Sequence, residues 1–158
     1  MNKIKVSIAT NKDKKHLSAF FQHYGNKDII KKRVECFLSH NFTVVAKDNS
    51  EIVGLLQWHI KEDPAAGVAE FEEVFVNKTH RGRGIGSLMV GYAINSVKAY
   101  FASIGVKPRK IYLFTGEDNA AARQLYEKHG FKAISKIGTL FDDKKTELFY
   151  ILDFLTKQ

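Results

Sequence analysis

The stretch from residue 76 to 88 carries the clearest chemical signal in the chain, because three glycines alternate there with other residues. Glycine lets the backbone approach a ligand closely, and the free N–H groups at a helix start bind phosphate oxygens. The stretch joins a segment typical of a strand to one typical of a helix, so it predicts an anion-binding turn, with a purely structural turn as the alternative. The candidate residues are Arg81, Gly82, Arg83, Gly84, Ile85, Gly86 and Ser87.

Two common phosphate-binding loops do not fit this turn. The dinucleotide pattern GxGxxG fails because Ser87 stands where the third glycine would be. The P-loop pattern fails because no Gly-Lys dipeptide followed by Ser or Thr occurs in the chain. What remains is Arg-x-x-Gly-x-Gly at Arg81, Gly84 and Gly86, which indicates a different cofactor.

A second motif lies between residues 119 and 131, where an asparagine, three alanines and a Leu-Tyr pair precede Gly130 and Phe131. The two motifs together resemble those of the GNAT superfamily of acyl-CoA-dependent N-acetyltransferases. In that family the first motif binds the pyrophosphate of acetyl-CoA, and the second is a helix with the strand after it. The resemblance by motif covers residues 68–133, and the order of elements extends it over the whole chain.

The resemblance implies that an acetyl group passes from acetyl-CoA, as co-substrate, directly to an amine. A protonated amine must lose a proton before it attacks, and a carboxylate can serve as the general base. Glu72 and Glu73 lie on the strand that lines the acetyl group in the family, and by alternation they face opposite sides. We favour Glu72, which matches the base of spermidine/spermine acetyltransferases, over Glu73; a merely solvated carboxylate is the other alternative.

The resemblance assigns two further tasks. A backbone N–H near Val76, at the end of a strand that includes Val74 and Phe75, would polarise the thioester carbonyl. Tyr126, with an ordinary pKa of about 10, would protonate the departing thiolate; packing as a helix aromatic is the alternative. Asn119 is a natural helix N-cap, and in the family this asparagine contacts the pantetheine arm.

The elements that must position these residues follow from periodicity and turn residues. The predicted order is β-α-α-β-β-β-α-β-α-β-β, a mixed α/β domain in which, as the resemblance implies, helices flank a mostly antiparallel, twisted central sheet. Predicted strands span 3–9, 42–47, 52–60, 68–76, 110–115, 131–137 and 147–152, and predicted helices span 12–24, 27–38 and 119–129. A long helix between the predicted strands 68–76 and 110–115 ends near Gly105. It should bury one apolar stripe, formed by Ile85, Leu88, Met89, Tyr92, Val97, Tyr100, Phe101 and Ile104.

Length and composition fit one soluble globular domain over residues 1–158, with 44% hydrophobic and 27% charged residues. We see neither a secretory signal nor a membrane span in the sequence, so we expect a cytoplasmic protein without membrane contact. The histidines and the single cysteine lack metal-ligand spacing, so no metal is expected. Cys36 stands in an apolar setting typical of a core thiol.

The net charge of +8 comes mostly from residues 1–33 and is best explained by a solvated helical face. Without an aromatic-basic motif a nucleic-acid partner is not favoured.

The expected partner is a small-molecule or peptide amine, and a homodimer is compatible with the family. A non-catalytic acyl-CoA-binding module is the alternative function. A group of acidic residues weakly favours a cationic acceptor that is polyamine-like or lysine-like. This acidic group consists of Glu62, Asp63, Glu70, Glu72 and Glu73. The basic first helices weakly favour the opposite, an acceptor with an acidic part.

Overall fold

The computed structural model describes residues 3–39, 42–61 and 63–155 and contains the predicted elements in the predicted order. The strands are β1 (Lys5–Ile8), β2 (Phe42–Asp48), β3 (Glu51–Ile60), β4 (Val68–Val76), β5 (Lys110–Gly116), β6 (Lys132–Gly138) and β7 (Thr146–Asp153). The helices are α1 (Lys14–Phe20), α2 (Lys27–Ser39), α3 (Ile85–Ser103) and α4 (Ala120–Lys128). Short 3-10 turns occupy 11–13, 21–24, 64–66 and 78–80.

The seven strands form one mixed sheet in the order β1-β2-β3-β4-β5-β7-β6. Strand β4 pairs parallel with β5, whereas β1 with β2, β2 with β3, β5 with β7 and β6 with β7 pair antiparallel. The predicted mixed, mostly antiparallel sheet flanked by helices is therefore confirmed. The chain divides into two compact units: a first unit of residues 1–59 and 73–92, and a second unit of residues 60–72 and 93–158.

The first unit is built on the predicted hairpin of β2 and β3, whose turn places Asn49 at a φ of 55°. Helices α1 and α2 pack on one face of the hairpin through a cluster that includes Phe21 and Phe37. Helix α3 approaches β3 so closely that a Cβ at Gly54 would lie 3.0 Å from the methyl carbon of Met89. A Cβ there would also lie 3.0 Å from the backbone carbonyl oxygen of Phe75, which can yield less than the Met89 side chain, so glycine is favoured at this position.

Helix α3 buries only part of the predicted stripe: Ile85, Met89, Val97 and Phe101 are buried as predicted. Leu88, Tyr92 and Ile104 were expected in the core, but they are 52%, 37% and 44% exposed. The buried stripe also includes the small residue Ala93 and the β-branched residues Val90 and Ile94. The prediction omitted them because it was based on the spacing of other, mostly larger, apolar side chains. The buried residues are Ile85, Met89, Val90, Ala93, Ile94, Val97 and Phe101.

Cys36 is exposed on α2, so its predicted place in the core is wrong. The buried residues of α2 are Val34 and Phe37. Successive residues turn by about 100° around a helix, so Cys36 lies on the far side from Val34 although its neighbours in sequence are apolar.

In the second unit, β5 alternates between a buried face and a half-exposed face, and β7 does so from Leu148 onward. The buried face carries Leu113 of β5 and Tyr150 of β7, which are opposite each other in the register. The pairing of β4 with β5 covers only three residues on each strand and ends where Glu70 is opposite Tyr112. Within the described residues, no helix is long and apolar enough to cross a membrane.

Candidate functional site

The glycine-rich turn has the backbone conformation that the sequence predicts for an anion site. Gly82 and Gly84 have φ values of 75° and 76°, a region that residues with a Cβ rarely adopt. The first helical hydrogen bond of α3 runs from the N–H of Leu88 to the carbonyl of Gly84, at 3.1 Å. The N–H groups of Ile85 and Gly86 therefore precede the helical ladder, and the positive end of the helix dipole lies beside them.

The turn is also open. A Cβ built on Gly82 or Gly84 would meet no atom within 4 Å, so these glycines are required by their backbone angles rather than by crowding. Residues 81–84 are all exposed, and two of them are arginines. An exposed turn with left-handed glycines, helix N–H groups and positive charge fits the diphosphate of a nucleotide cofactor.

Side chains of the first unit brace this turn. The Nε of Arg81 donates to the carbonyl oxygen of Val76 at 3.0 Å, and its guanidinium lies 5.8 Å from the ring centre of Phe75. The carboxylate of Asp48, at the end of β2, lies 3.6 Å from the guanidinium of Arg83 and 3.7 Å from the ring of His80. The sequence analysis did not identify Asp48, because nothing in its spacing connects a hairpin residue to this turn.

The last residues of β4 are half-buried and hold a fixed position beside the turn. Phe75 contacts Phe20 edge to face at 5.1 Å, and the N–H of Asn77 donates to the carbonyl of Val53 at 2.8 Å. The carbonyl oxygen of Val76 accepts the hydrogen bond from Arg81 Nε. The N–H near Val76 remains a predicted donor to the thioester carbonyl. Val74 lies on the same half-buried segment.

The two candidate bases differ in their surroundings. In the first unit, Glu73 Oε2 accepts a hydrogen bond from Arg33 Nη2 at 2.7 Å, and the guanidinium of Arg33 lies over the rings of Phe21 and Phe37 at 5.3 and 5.5 Å. In the second unit, Glu72 is exposed. The carboxylate of Glu73 is thus committed to an ion pair with α2, a partner 40 positions away that no local pattern could predict.

Two described members of the predicted acidic group have separate hydrogen-bond partners. Asp63 accepts from the N–H of Ala65 at 2.8 Å and caps a 3-10 turn. Glu70 accepts from the hydroxyl of Tyr112 at 2.7 Å. Glu62 lies outside the described residues.

Tyr126 is a buried tyrosine of the second unit, 6% exposed on α4. Its ring contacts Phe131 and Tyr150 at centroid distances of 5.8 and 6.3 Å. Burial raises the pKa of Tyr126 to about 12, because an anionic phenolate would lose its hydration there. Its hydroxyl makes no hydrogen bond to any residue that the structure describes, whereas the hydroxyl of Tyr150 donates to Glu127 at 2.8 Å.

Helix α4 is fixed at both ends. The side-chain oxygen of Asn119 accepts from the N–H of Ala122 at 3.1 Å, which confirms the predicted N-cap. The Tyr150–Glu127 hydrogen bond ties the other end to β7. Because only its oxygen is used by the cap, the amide NH2 of Asn119 stays available as a donor.

The predicted residues are therefore divided between the two units. The glycine-rich turn, residues 74–76 and Glu73 belong to the first, and Glu72, Asn119 and Tyr126 belong to the second. A cavity of about 300 Å³ in the second unit contains none of them; it is lined by Glu117, Asp118, Lys144, Lys145 and Thr146. Among the residues described, no group of three or more His, Cys, Asp or Glu side chains could hold a metal ion.

Comparison with known proteins identifies the family of this chain. A family model described as the acetyltransferase (GNAT) family matches residues 11–131. The mycothiol acetyltransferase of Corynebacterium glutamicum (strain R) is 33% identical over 87 residues, which cover 53% of this chain and 26% of that protein. The chain thus spans about a quarter of the length of that curated relative.

Solved structures show the same fold. The structure of yncA from Salmonella typhimurium with its cofactor acetyl-CoA has a TM-score of 0.77 at 15% identity, over 99% of this chain and 97% of that one. An aminoglycoside 6'-N-acetyltransferase complexed with coenzyme A has a TM-score of 0.75 at 18% identity, over 98% and 99% of the two chains. Since the family model covers most of the sequence and the fold agrees with it, the chain belongs to the acetyltransferase (GNAT) family.

Proposed function

We propose that residues 1–158 act as one N-acetyltransferase domain, which transfers the acetyl group of acetyl-CoA directly to an amine. The observation that carries this proposal is the open turn with left-handed Gly82 and Gly84 at the start of α3. When bound, acetyl-CoA supplies an activated acyl group as a thioester. The N–H groups of residues 85–87, with Arg81 and Arg83, would hold the diphosphate, and the amide of Asn119 would bind the pantetheine arm.

The transfer of an acetyl group to an ammonium removes two protons from the nitrogen and adds one to the sulfur. The ammonium gives its first proton to Glu72, the neutral nitrogen bonds to the thioester carbon, and the carbon–sulfur bond breaks. The sulfur then receives a proton from the hydroxyl of Tyr126, and the backbone N–H near Val76 stabilises the negative charge on the carbonyl oxygen during attack. The second proton of the nitrogen restores the hydroxyl of Tyr126 through solvent, and Glu72 releases the first to water, so the products are an amide, free coenzyme A and one proton.

The raised pKa of Tyr126 does not oppose its role as the acid. A free thiol has a pKa of about 8.5, lower than that of a phenol. However, the departing thiolate is also an anion, so the burial that raises the pKa of Tyr126 raises the pKa of the thiol in the same place. A hydroxyl without a hydrogen-bond partner among the described residues is suited to donating to such a sulfur.

Glu72 is proposed as the base because it is exposed on β4 and stands, as the resemblance implies, at the position of the base in spermidine/spermine acetyltransferases. We expect Glu72→Gln to lower the rate near pH 7 by about 100-fold, with recovery at higher pH as more of the amine loses its proton without help. The measurement is the pH profile of kcat/KM for an amine.

Glu73→Gln is the matched control. It removes the ion pair with Arg33, which is partly exposed, so a stability loss of up to about 1 kcal/mol is expected, without a change in the pH profile. A displaced pH profile in Glu73→Gln alone would transfer the role of base to Glu73.

Substitution of Asp48 tests whether the positive charge of Arg83 contributes to the binding of acetyl-CoA. Its contacts with Arg83 and His80 are long and partly exposed, so they contribute little to the shape of the turn. We expect Asp48→Asn to lower KM for acetyl-CoA about threefold at low salt, because Arg83 loses a competing anion and becomes available to phosphate, and the gain should fade as salt screens it. A higher KM would show that Asp48 positions the turn.

The proposed function is tested by the release of free coenzyme A from acetyl-CoA in the presence of a panel of amines. Time-dependent release that requires an amine, with formation of its amide, is the expected result. Tight binding of acetyl-CoA without release for any amine would instead support the non-catalytic acyl-CoA-binding module.

A further inference from the structure

One face of the second unit's sheet is lined with aromatic rings. Tyr112 and Phe114 of β5 are half-buried, whereas the residues between and beside them are buried on the opposite face. Phe149 of β7 is directly opposite Phe114 in the register, and the two rings stack at 5.0 Å. Tyr112 contacts Phe149 at 5.7 Å. We call Tyr112, Phe114, Phe149 and Phe141 the aromatic face.

Phe141 extends this face from the connection between β6 and β7. Its ring contacts Phe114 edge to face at 6.0 Å, yet the residue is 71% exposed. Large apolar side chains that remain exposed beside other aromatic rings are typical of binding surfaces. The aromatic face therefore offers a surface to which an apolar ligand can bind, with Phe141 at its rim.

The aromatic face is bordered by negative charge. Glu70 of β4 is opposite Tyr112 in the register, and its carboxylate accepts the hydrogen bond of the Tyr112 hydroxyl. Glu72 follows two residues later and is exposed, so strand alternation places it on the same side as Glu70. In a chain with a net charge of +8, two carboxylates beside a row of rings complement a cation joined to an apolar body.

We infer that the acceptor is a small primary amine with one positive charge, carried on an aromatic or alkyl body that lies on the aromatic face. This inference rests on the proposed function and specifies its acceptor. Charge supports this inference, because the ammonium would be held near Glu72, which is the proposed base, while the rest of the ligand would lie on the rings. A polyamine or aminoglycoside would have to place further ammonium groups over those rings, away from the two carboxylates, where an exposed cation–π contact stabilises less than the burial of an apolar body.

The test measures binding separately from transfer. Calorimetric titrations of 2-phenylethylamine, methylamine, spermidine and kanamycin, with and without coenzyme A, give the order of affinity. We expect 2-phenylethylamine to bind at least about tenfold more tightly than the other three, because only its body buries apolar surface against the rings. Equal or tighter binding of spermidine, kanamycin or methylamine would overturn the inference.

Phe141→Ala tests the aromatic face itself. Because this side chain is mostly exposed, its removal should leave the fold intact. It should weaken 2-phenylethylamine binding about tenfold, without changing the affinity for methylamine. The matched control is Ile104→Ala, an apolar residue 44% exposed just after α3, which should change neither affinity. Unchanged binding of 2-phenylethylamine in Phe141→Ala would exclude the aromatic face as its site.

The release of coenzyme A distinguishes the two proposals. If 2-phenylethylamine binds with the expected preference but no amine leads to release, the binding surface is supported and acetyl transfer is wrong. If amines are acetylated but a polycation or a polar peptide amine has the highest kcat/KM, acetyl transfer is supported and the acceptor class is wrong. Preferred acetylation of 2-phenylethylamine, reduced in Phe141→Ala through KM alone, supports both.

Discussion

Gly84→Val is expected to raise the Kd for acetyl-CoA about 100-fold, equivalent to about 2.7 kcal/mol. Gly84 has a φ of 76°, where a residue with a Cβ is disfavoured by about 1–2 kcal/mol and a β-branched residue by more. The variant turn must move to relieve this strain, and the N–H groups at the start of α3 then lose their arrangement around the diphosphate. In addition, the new side chain would occupy the open surface above the turn, where the wild-type chain has no atom within 4 Å.

The measurement is calorimetric titration with acetyl-CoA, accompanied by thermal unfolding. Gly105→Val is the matched control, because Gly105 has a φ of 71° and equally open surroundings but follows the other end of α3. Both variants should lose about 1–2 kcal/mol of stability from backbone strain. Only Gly84→Val should lose the cofactor. Wild-type affinity in Gly84→Val would remove the turn as the diphosphate site, and equal loss in both variants would attribute the effect to general destabilisation.

Tyr126→Phe is expected to lower kcat by 100-fold or more, within the range of about 10²–10⁴ that general acids contribute. The substitution removes one oxygen that makes no hydrogen bond to the described residues, so the packing of the ring against Phe131 and Tyr150 should remain. The Kd for acetyl-CoA should stay near the wild-type value, because the hydroxyl would act on the leaving sulfur and not on the intact thioester.

The control for this variant is Tyr150→Phe. Tyr150 is also buried and lies in the same ring cluster, but its hydroxyl donates to Glu127. Tyr150→Phe should therefore lower stability by about 1 kcal/mol through the lost hydrogen bond and leave kcat within about twofold. Single-turnover measurements of coenzyme A release should accompany the steady-state rates, since slow product release could hide a slower chemical step. Equal rates for Tyr126→Phe and wild type would exclude the general-acid role.

The raised pKa of Tyr126 predicts how the rate of acetyl transfer depends on pH. An acid must be protonated to act, and a pKa raised to about 12 keeps this hydroxyl protonated throughout the range in which amines lose their protons. The wild-type rate should therefore rise with pH as the amine is deprotonated and should not fall because of Tyr126 until the pH approaches that value.

The sequence by itself determined the elements and the turns that connect them. Alternation and helical periodicity predicted the strands and helices in the correct order, because these patterns repeat within a few residues. Capping and turn chemistry are equally local: Asn119 caps α4, and Gly82 and Gly84 adopt positive φ values that glycine allows. Both motifs that resemble the family are continuous segments, so they could be recognised before any folding was considered.

Tertiary structure alone decided which side chains meet. Arg33 and Glu73 are 40 positions apart, and Tyr112 and Glu70 are 42 positions apart, so no spacing rule could join them. The buried face of α3 was also decided by what it packs against: Met89 lies close to β3 at Gly54 and is buried, whereas the adjacent Leu88 is exposed. Local periodicity specifies that a helix or strand forms, but the partner of each side chain depends on how distant segments of the chain pack together.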